Sequence, residues 1–221
     1  MQTKIDHLVI AAETLSQGIA YVKQCLGVVI PYGGEHPKMG THNHLMQLGD
    51  DTFLEVIAIN PEMTAPETPR WFGLDDPFVR RQIAARPALI GWVVNSSNID
   101  TFLNQANFSF GKSELITRGE LSWNFGLPDD GRLLAGGMLP YVMEWHCDTH
   151  PANNMADLGC RFEALEIHHP QPCWLRAVLD SVDAAGLVKI VALPAGRAPY
   201  LVVHIRTPEG VKQLRSDIGL F

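Results

Sequence analysis

Two glutamates stand where carboxylates are costly. Glu55 interrupts the run Phe53-Leu54-Glu55-Val56-Ile57-Ala58, and Glu144 interrupts Tyr141-Val142-Met143-Glu144-Trp145. An ionised carboxylate among apolar strand residues either loses its charge or needs a metal, another cation or a proton to answer it. Histidine is the other chemistry-bearing type, with nine in the chain. His42 and His44 are two apart, so on a strand both point to one face. A two-residue loop near Gly49–Asp51 would bring that face to Glu55, and a three-residue loop would send it away. Facing Glu55 they would be substitute ligands, acid–base groups or substrate donors; otherwise they form a polar face against the Gly33–His36 loop. His146 shares the face of Glu144, while His150, before Pro151, reads as a surface residue. Trp92 and Trp145 offer flat apolar rings that suit either an organic ligand or ordinary packing.

The elements that must position these groups repeat along the chain. Residues 4–10 read as a strand and 13–26 as a helix, capped by Thr14 or Ser16 and ended by Gly27. Strands near 28–32, 42–48 and 52–59 follow, with Leu48-Gly49-Asp50-Asp51-Thr52 as the hairpin turn. The same order returns from Leu89 to Trp145 and again from Phe162 to Arg215. The reading is α+β, built of βαβββ modules: a first at 1–60, a connector at 61–87, a second at 88–148, a linker at 149–159 and a third, βαβββ-like, at 160–221.

Composition narrows the function class. The net charge is −7, and residues 1–160 carry ten Lys/Arg against eighteen Asp/Glu. An acidic chain without a basic stripe argues against a nucleic-acid partner. No apolar stretch is long enough for a membrane span, and four cysteines without a CxxC pair suggest reduced thiols. A cytoplasmic protein is the economical expectation. The sequence has no GxSxG, P-loop, GxGxxG or HExxH motif, so nucleotide and serine-hydrolase chemistry have no foothold.

Several stretches resemble the glyoxalase-like domain family of the vicinal-oxygen-chelate (glyoxalase/bleomycin resistance/dioxygenase) superfamily. They are Ile5-Asp6-His7-Leu8-Val9, Gly33-Gly34-Glu35-His36, Met39-Gly40-Thr41-His42-Asn43-His44, Phe53 to Ala58, Trp71-Phe72-Gly73-Leu74, Leu139 to Trp145, Gly159-Cys160-Arg161 and Thr207-Pro208-Glu209-Gly210. The resemblance implies paired modules whose sheets curl into a cup, with metal ligands from the first and last strand of each. Mapped here, those positions are His7, Glu55, Gly91 and Glu144: three ligands and one glycine. It further implies a divalent metal (Mn, Fe, Ni, Co or Zn) and isomerase or lyase chemistry on a small oxygen-rich substrate held by two adjacent oxygens. Glu55 and Glu144 would move protons, with His42, His44, Trp92, Trp145 and His146 around the substrate. The glycine favours an alternative, a metal-free binding or sequestering protein; a ring-cleaving dioxygenase is another, with His42 or His44 supplying its second histidine. The odd third module would cap the cup or pair across a homodimer.

Overall fold

A computed structural model describes residues 2–216, so Met1 and 217–221 of the first and third assigned modules lie outside the described residues. Strand β1 (Thr3–Ala11) leads into helix α1 (Leu15–Leu26). Thr14 caps the helix, its hydroxyl accepting the Gln17 N–H at 3.3 Å, and Gly27 at φ 78° ends it. Strands β2 (Tyr32–His36), β3 (Thr41–Gly49) and β4 (Thr52–Ile59) follow. After helix α2 (Pro77–Ala85), in the connector, the order returns as β5 (Ala88–Ser96), α3 (Ile99–Gln105), β6 (Lys112–Arg118), β7 (Leu121–Leu127) and β8 (Tyr141–Trp145). The helix after β5 is capped by Asn98, one residue beyond the expected Asn95–Ser97.

These strands make one eight-stranded sheet in the order β2-β3-β4-β1-β5-β8-β7-β6. The two halves meet where β1 and β5 run antiparallel, and each half closes on itself by a parallel pair, β1 with β4 and β5 with β8. The central strands are apolar nearly throughout because both of their faces are covered, and Leu8, Val9 and Ile10 are fully buried. Burying each such side chain contributes roughly 1.5–3 kcal/mol. The sheet curls until its edges face each other. Lys38, after β2, reaches Glu114 Oε2 at 2.9 Å and the Leu115 carbonyl at 3.0 Å on β6.

Residues 161–215 form β9 (Arg161–His169), α4 (Pro172–Ser181), β10 (Lys189–Ala192), β11 (Tyr200–Thr207) and β12 (Gly210–Arg215). The βαβββ element order is present, but the strand order is β10-β9-β11-β12. Here the first strand pairs with the strand directly after the helix, not with the last. The seven-residue return through Pro194 and Pro199 carries the chain to the free side of β9. This second sheet shares a continuous core with the first. Among the described residues no helix is long and apolar enough to cross a membrane.

The connector is pinned to the second half. Trp71–Gly73 forms a single turn with Phe72 at φ 57° and Gly73 at φ 63°. The buried Tyr141 hydroxyl accepts the Phe72 N–H at 3.1 Å and donates to the Arg132 carbonyl at 2.6 Å. Removing that oxygen leaves a buried donor and acceptor unpaired. Tyr141→Phe should therefore lower unfolding free energy by about 1–3 kcal/mol, read as a reduced urea midpoint with an unchanged slope.

Candidate functional site

A β-bulge builds the centre of the site. The pairing of β1 with β5 shifts between Ile5 and His7, so Asp6 is the extra residue and has no partner across the ladder. Asp6 is 0% exposed. One of its oxygens receives His7 Nδ1 at 2.6 Å; the other receives Trp145 Nε1 at 2.8 Å and His150 Nε2 at 2.9 Å. Burial opposes its charge, but the hydrogen bonds from His150 and His7 and their electrostatic attraction outweigh it and hold the carboxyl below its ordinary pKa. An ionised carboxylate only accepts, so both histidine nitrogens facing it carry protons. His150 Nδ1 in turn accepts the Ala152 N–H at 3.2 Å.

With Nδ1 committed to Asp6, His7 directs Nε2 into the cup, 3.6 Å from Glu55 Oε2. The other Glu55 oxygen accepts from Asn43 Nδ2 at 2.6 Å. Phe53 stacks on the His7 ring, centroids 4.5 Å apart and planes 18° apart. The far wall carries Phe72, Trp123, Phe125, Met143 and Trp145, and the cup holds about 370 Å³ of empty space, part of it open to solvent. Arg118, the last residue of β6, also lines it, with NH1 3.3 Å from His36 Nε2. Burial pushes the Arg118 pKa down, and the charge of Glu55 opposes this. His36 Nδ1 lies 3.1 Å from the Thr41 hydroxyl, and the Trp71 ring meets His36 edge-on at 4.9 Å.

The other expected site residues lie elsewhere. Glu144 accepts the Ile99 N–H at 2.9 Å at the start of α3 and faces a separate cleft with Asn95, Ser96 and Cys147. Strand alternation is the cause: Met143 and Trp145 line the cup, so Glu144 between them points mainly away. Tyr141, Val142 and Met143 pair with β5 as Phe53, Leu54 and Glu55 pair with β1, so Met143 is the register counterpart of Glu55. Val93 lies directly across from His7, while Gly91 lies across from Val9. Trp92 pairs with Leu8 on the opposite face, its indole N–H on the Met138 carbonyl at 3.3 Å.

The hairpin loop is two residues long, yet a register shift between Gln47 and Gly49 reverses the parity it implied. Leu45 and Asn43 therefore share the face of Glu55, and His42 and His44 share the other. His44 bonds the Ile30 carbonyl at 2.7 Å, and His42 lines a cleft with Glu13 and Arg80. His146 is exposed near Ser122, and His150 is partly buried, turned in against Asp6.

Asp6, His36, Asn43, Trp71, Arg118 and His150 were not singled out from sequence as site residues. Asp6, His36, Asn43 and Trp71 do lie inside the family-like stretches. Arg118 ends an ordinary edge strand, and nothing in its neighbours marks it.

Metal-type side chains lining the cup are His7, His36 and Glu55, but His36 Nε2 faces the Arg118 guanidinium with Nδ1 beside the Thr41 hydroxyl, and one Glu55 oxygen already holds Asn43. Among the described residues no group of three or more His, Cys, Asp or Glu is arranged to hold a metal ion. Catalytic metal centres commonly use three protein ligands, so these residues do not fit the expected divalent metal.

A family model described as a glyoxalase-like domain matches residues 5–182. No curated protein matches. A hypothetical protein from Staphylococcus aureus superposes with TM-score 0.58 at 12% identity, over 97% of this chain and 85% of that one. A methylmalonyl-CoA epimerase from Mycobacterium tuberculosis gives 0.39 at 19%, over 64% and 86%. A variant 4-hydroxymandelate synthase from Streptomyces coelicolor gives 0.47 at 13%, over 96% and 62%. At such identities the first likeness is one of fold, and the other two carry no argument.

Burial, with the charge of Arg118 adding to it, lowers the His36 pKa to about 3 from 6.5. Between those two values the unfolded chain binds the proton and the folded chain does not. The His36 contribution to stability is thus full above pH 6.5 and declines as pH falls through 6.5 toward 3. NMR titration should find this ring neutral at every pH down to about 4, and a midpoint near the ordinary histidine value would contradict the geometry.

Proposed function

Because the chain belongs to the glyoxalase-like domain family, we propose that its cup performs proton-transfer chemistry, of isomerase or lyase type, on a small oxygen-rich molecule. The observation that carries this reading is the 2.6 Å contact of buried Asp6 with His7 Nδ1, with Nε2 turned to the cup beside Glu55. A carboxylate behind a histidine fixes its tautomer and stabilises the cation formed when the ring takes a proton. His7 is then the base that removes a proton from carbon next to a carbonyl group. Glu55, 3.6 Å from Nε2, is the second proton carrier. Asn43 holds the Glu55 carboxylate in place through its 2.6 Å hydrogen bond. The aromatic walls lower the local dielectric and so strengthen the polar contacts of these groups. Glu144 has no part in this scheme, since its carboxylate caps α3, and no step passes through a metal.

The test is solvent-deuterium exchange at the carbon beside the carbonyl, followed by NMR over a panel of small aldehyde–thiol adducts and 2-oxygenated carbonyl compounds. His7→Gln should slow exchange by about 10²–10⁴-fold while the protein stays folded at the assay temperature, below a lowered melting temperature. Asp6→Asn, which places an amide N–H among three donors, should slow it too and destabilise the fold. Chelator treatment should leave the rate unchanged. A folded protein that exchanges nothing on the panel would leave only the binding-protein reading.

A further inference from the structure

Arg118 makes one hydrogen bond, to neutral His36, and no ion pair within 4.0 Å among the described residues. It is half-buried in a protein whose net charge is −7. A guanidinium carries five N–H donors in a flat fork, and a desolvated cation without an anion is unfavourable. Glu55 does not meet this need: it forms no ion pair with Arg118 within 4.0 Å, its Oε1 holds Asn43, and its charge only partly opposes the effect of burial on the guanidinium. The second observation is independent. The Trp71 side chain lines the same cup, is 3% exposed, and its indole nitrogen finds no partner. Indole N–H is a donor only, so what completes it must accept. Two unmet donors, one of them cationic, therefore stand in one small aromatic enclosure.

We infer that the ligand of this cup bears a carboxylate, seated on the Arg118 guanidinium and the Trp71 indole N–H, with a compact apolar body against Phe72, Trp123 and Phe125. The inference rests on the proposed function for placing the ligand in the cup, and it adds the substrate class: a small organic acid. A fork of N–H donors matches the two oxygens of a carboxylate better than a single carbonyl oxygen. The same fork would take up negative charge that spreads onto that group when His7 removes a neighbouring proton. Arg118 also lines a surface cleft with Tyr32, Leu121 and Pro151, so it stands where cup and solvent meet. An acidic protein repels anions at long range, which makes a local cation the means of admitting one.

Calorimetric titration of the full chain with benzoate and with the uncharged isostere benzamide tests this, with tryptophan fluorescence as a second readout. Benzoate should bind saturably at millimolar concentration or below, and at least about tenfold more tightly than benzamide, as a charge-assisted contact implies. Arg118→Gln should erase that preference, and Arg118→Lys should keep part of it. Trp71→Phe should weaken benzoate about three- to tenfold while sparing benzamide. Absence of saturable benzoate binding, equal affinity for the two compounds, or a preference that survives in Arg118→Gln would overturn the inference. His7→Gln separates the two ideas. Benzoate binding that persists where no proton exchange is found condemns the proton-transfer reading alone; exchange without carboxylate preference condemns this one alone.

Discussion

A carboxylate with no exposed surface must be met by donors from every side, and Asp6 sets the conditions for much of this molecule. Its three donors come from its own strand, from the end of β8 and from the segment after it. Those segments are 139 and 144 residues away in the chain, so satisfying one buried charge fixes how the first half, the second half and the linker sit together. Losing any one donor leaves an incompletely met ion in the interior, which is far more damaging than losing a surface pair. The orientation of His7 is a by-product of that requirement, and the cup inherits its most reactive nitrogen from it.

The departure from the expected metal set has a simple structural form. Of the four positions that family resemblance suggested, His7 and Glu55 share the cup, Glu144 faces another cleft, and Gly91 lies two residues along from the strand position opposite His7. What the cup holds instead is a polar set with mixed charge: an imidazole backed by an ion, a carboxylate held by an amide, and a cation leaning on a neutral histidine. Such an arrangement handles protons and anionic oxygens with the chain's own groups. The aromatic wall supplies shape and keeps the dielectric low, which strengthens each of these contacts.

Element order was legible because turn chemistry and periodicity are local. Gly27 stops α1, the Asp50-Asp51 hairpin joins β3 to β4, and the resemblance touched β1 to β4 and β8 but not β6 or β7. Side-chain facing was harder to read because each bulge inverts it. One irregularity near Leu48 moved His42 and His44 off the face of Glu55, and another at Asp6 brought two consecutive residues into one network. Glu144 is a different case. Phe53-Leu54-Glu55 and Tyr141-Val142-Met143 occupy equivalent register positions, so the counterpart of Glu55 is Met143 and Glu144 falls one residue later, on the other face. Arg118 and His150 owe their roles to long-range folding: the first to the meeting of two sheet edges, the second to a linker that folds back on Asp6.

That meeting of edges bears on how the protein behaves in a crowd. Edge strands display unpaired backbone groups that a second molecule can extend into a shared sheet. Here Lys38 caps the Leu115 carbonyl and pairs with Glu114, and both charged side chains remain half-exposed along the seam. The adjoining Leu115 side chain is more than half exposed, as is Tyr32 at the start of β2, and both would otherwise invite such extension. A lysine that helps close the cup thus also guards against polymerisation, so changes at position 38 would register first as turbidity at high protein concentration rather than as a loss of folding.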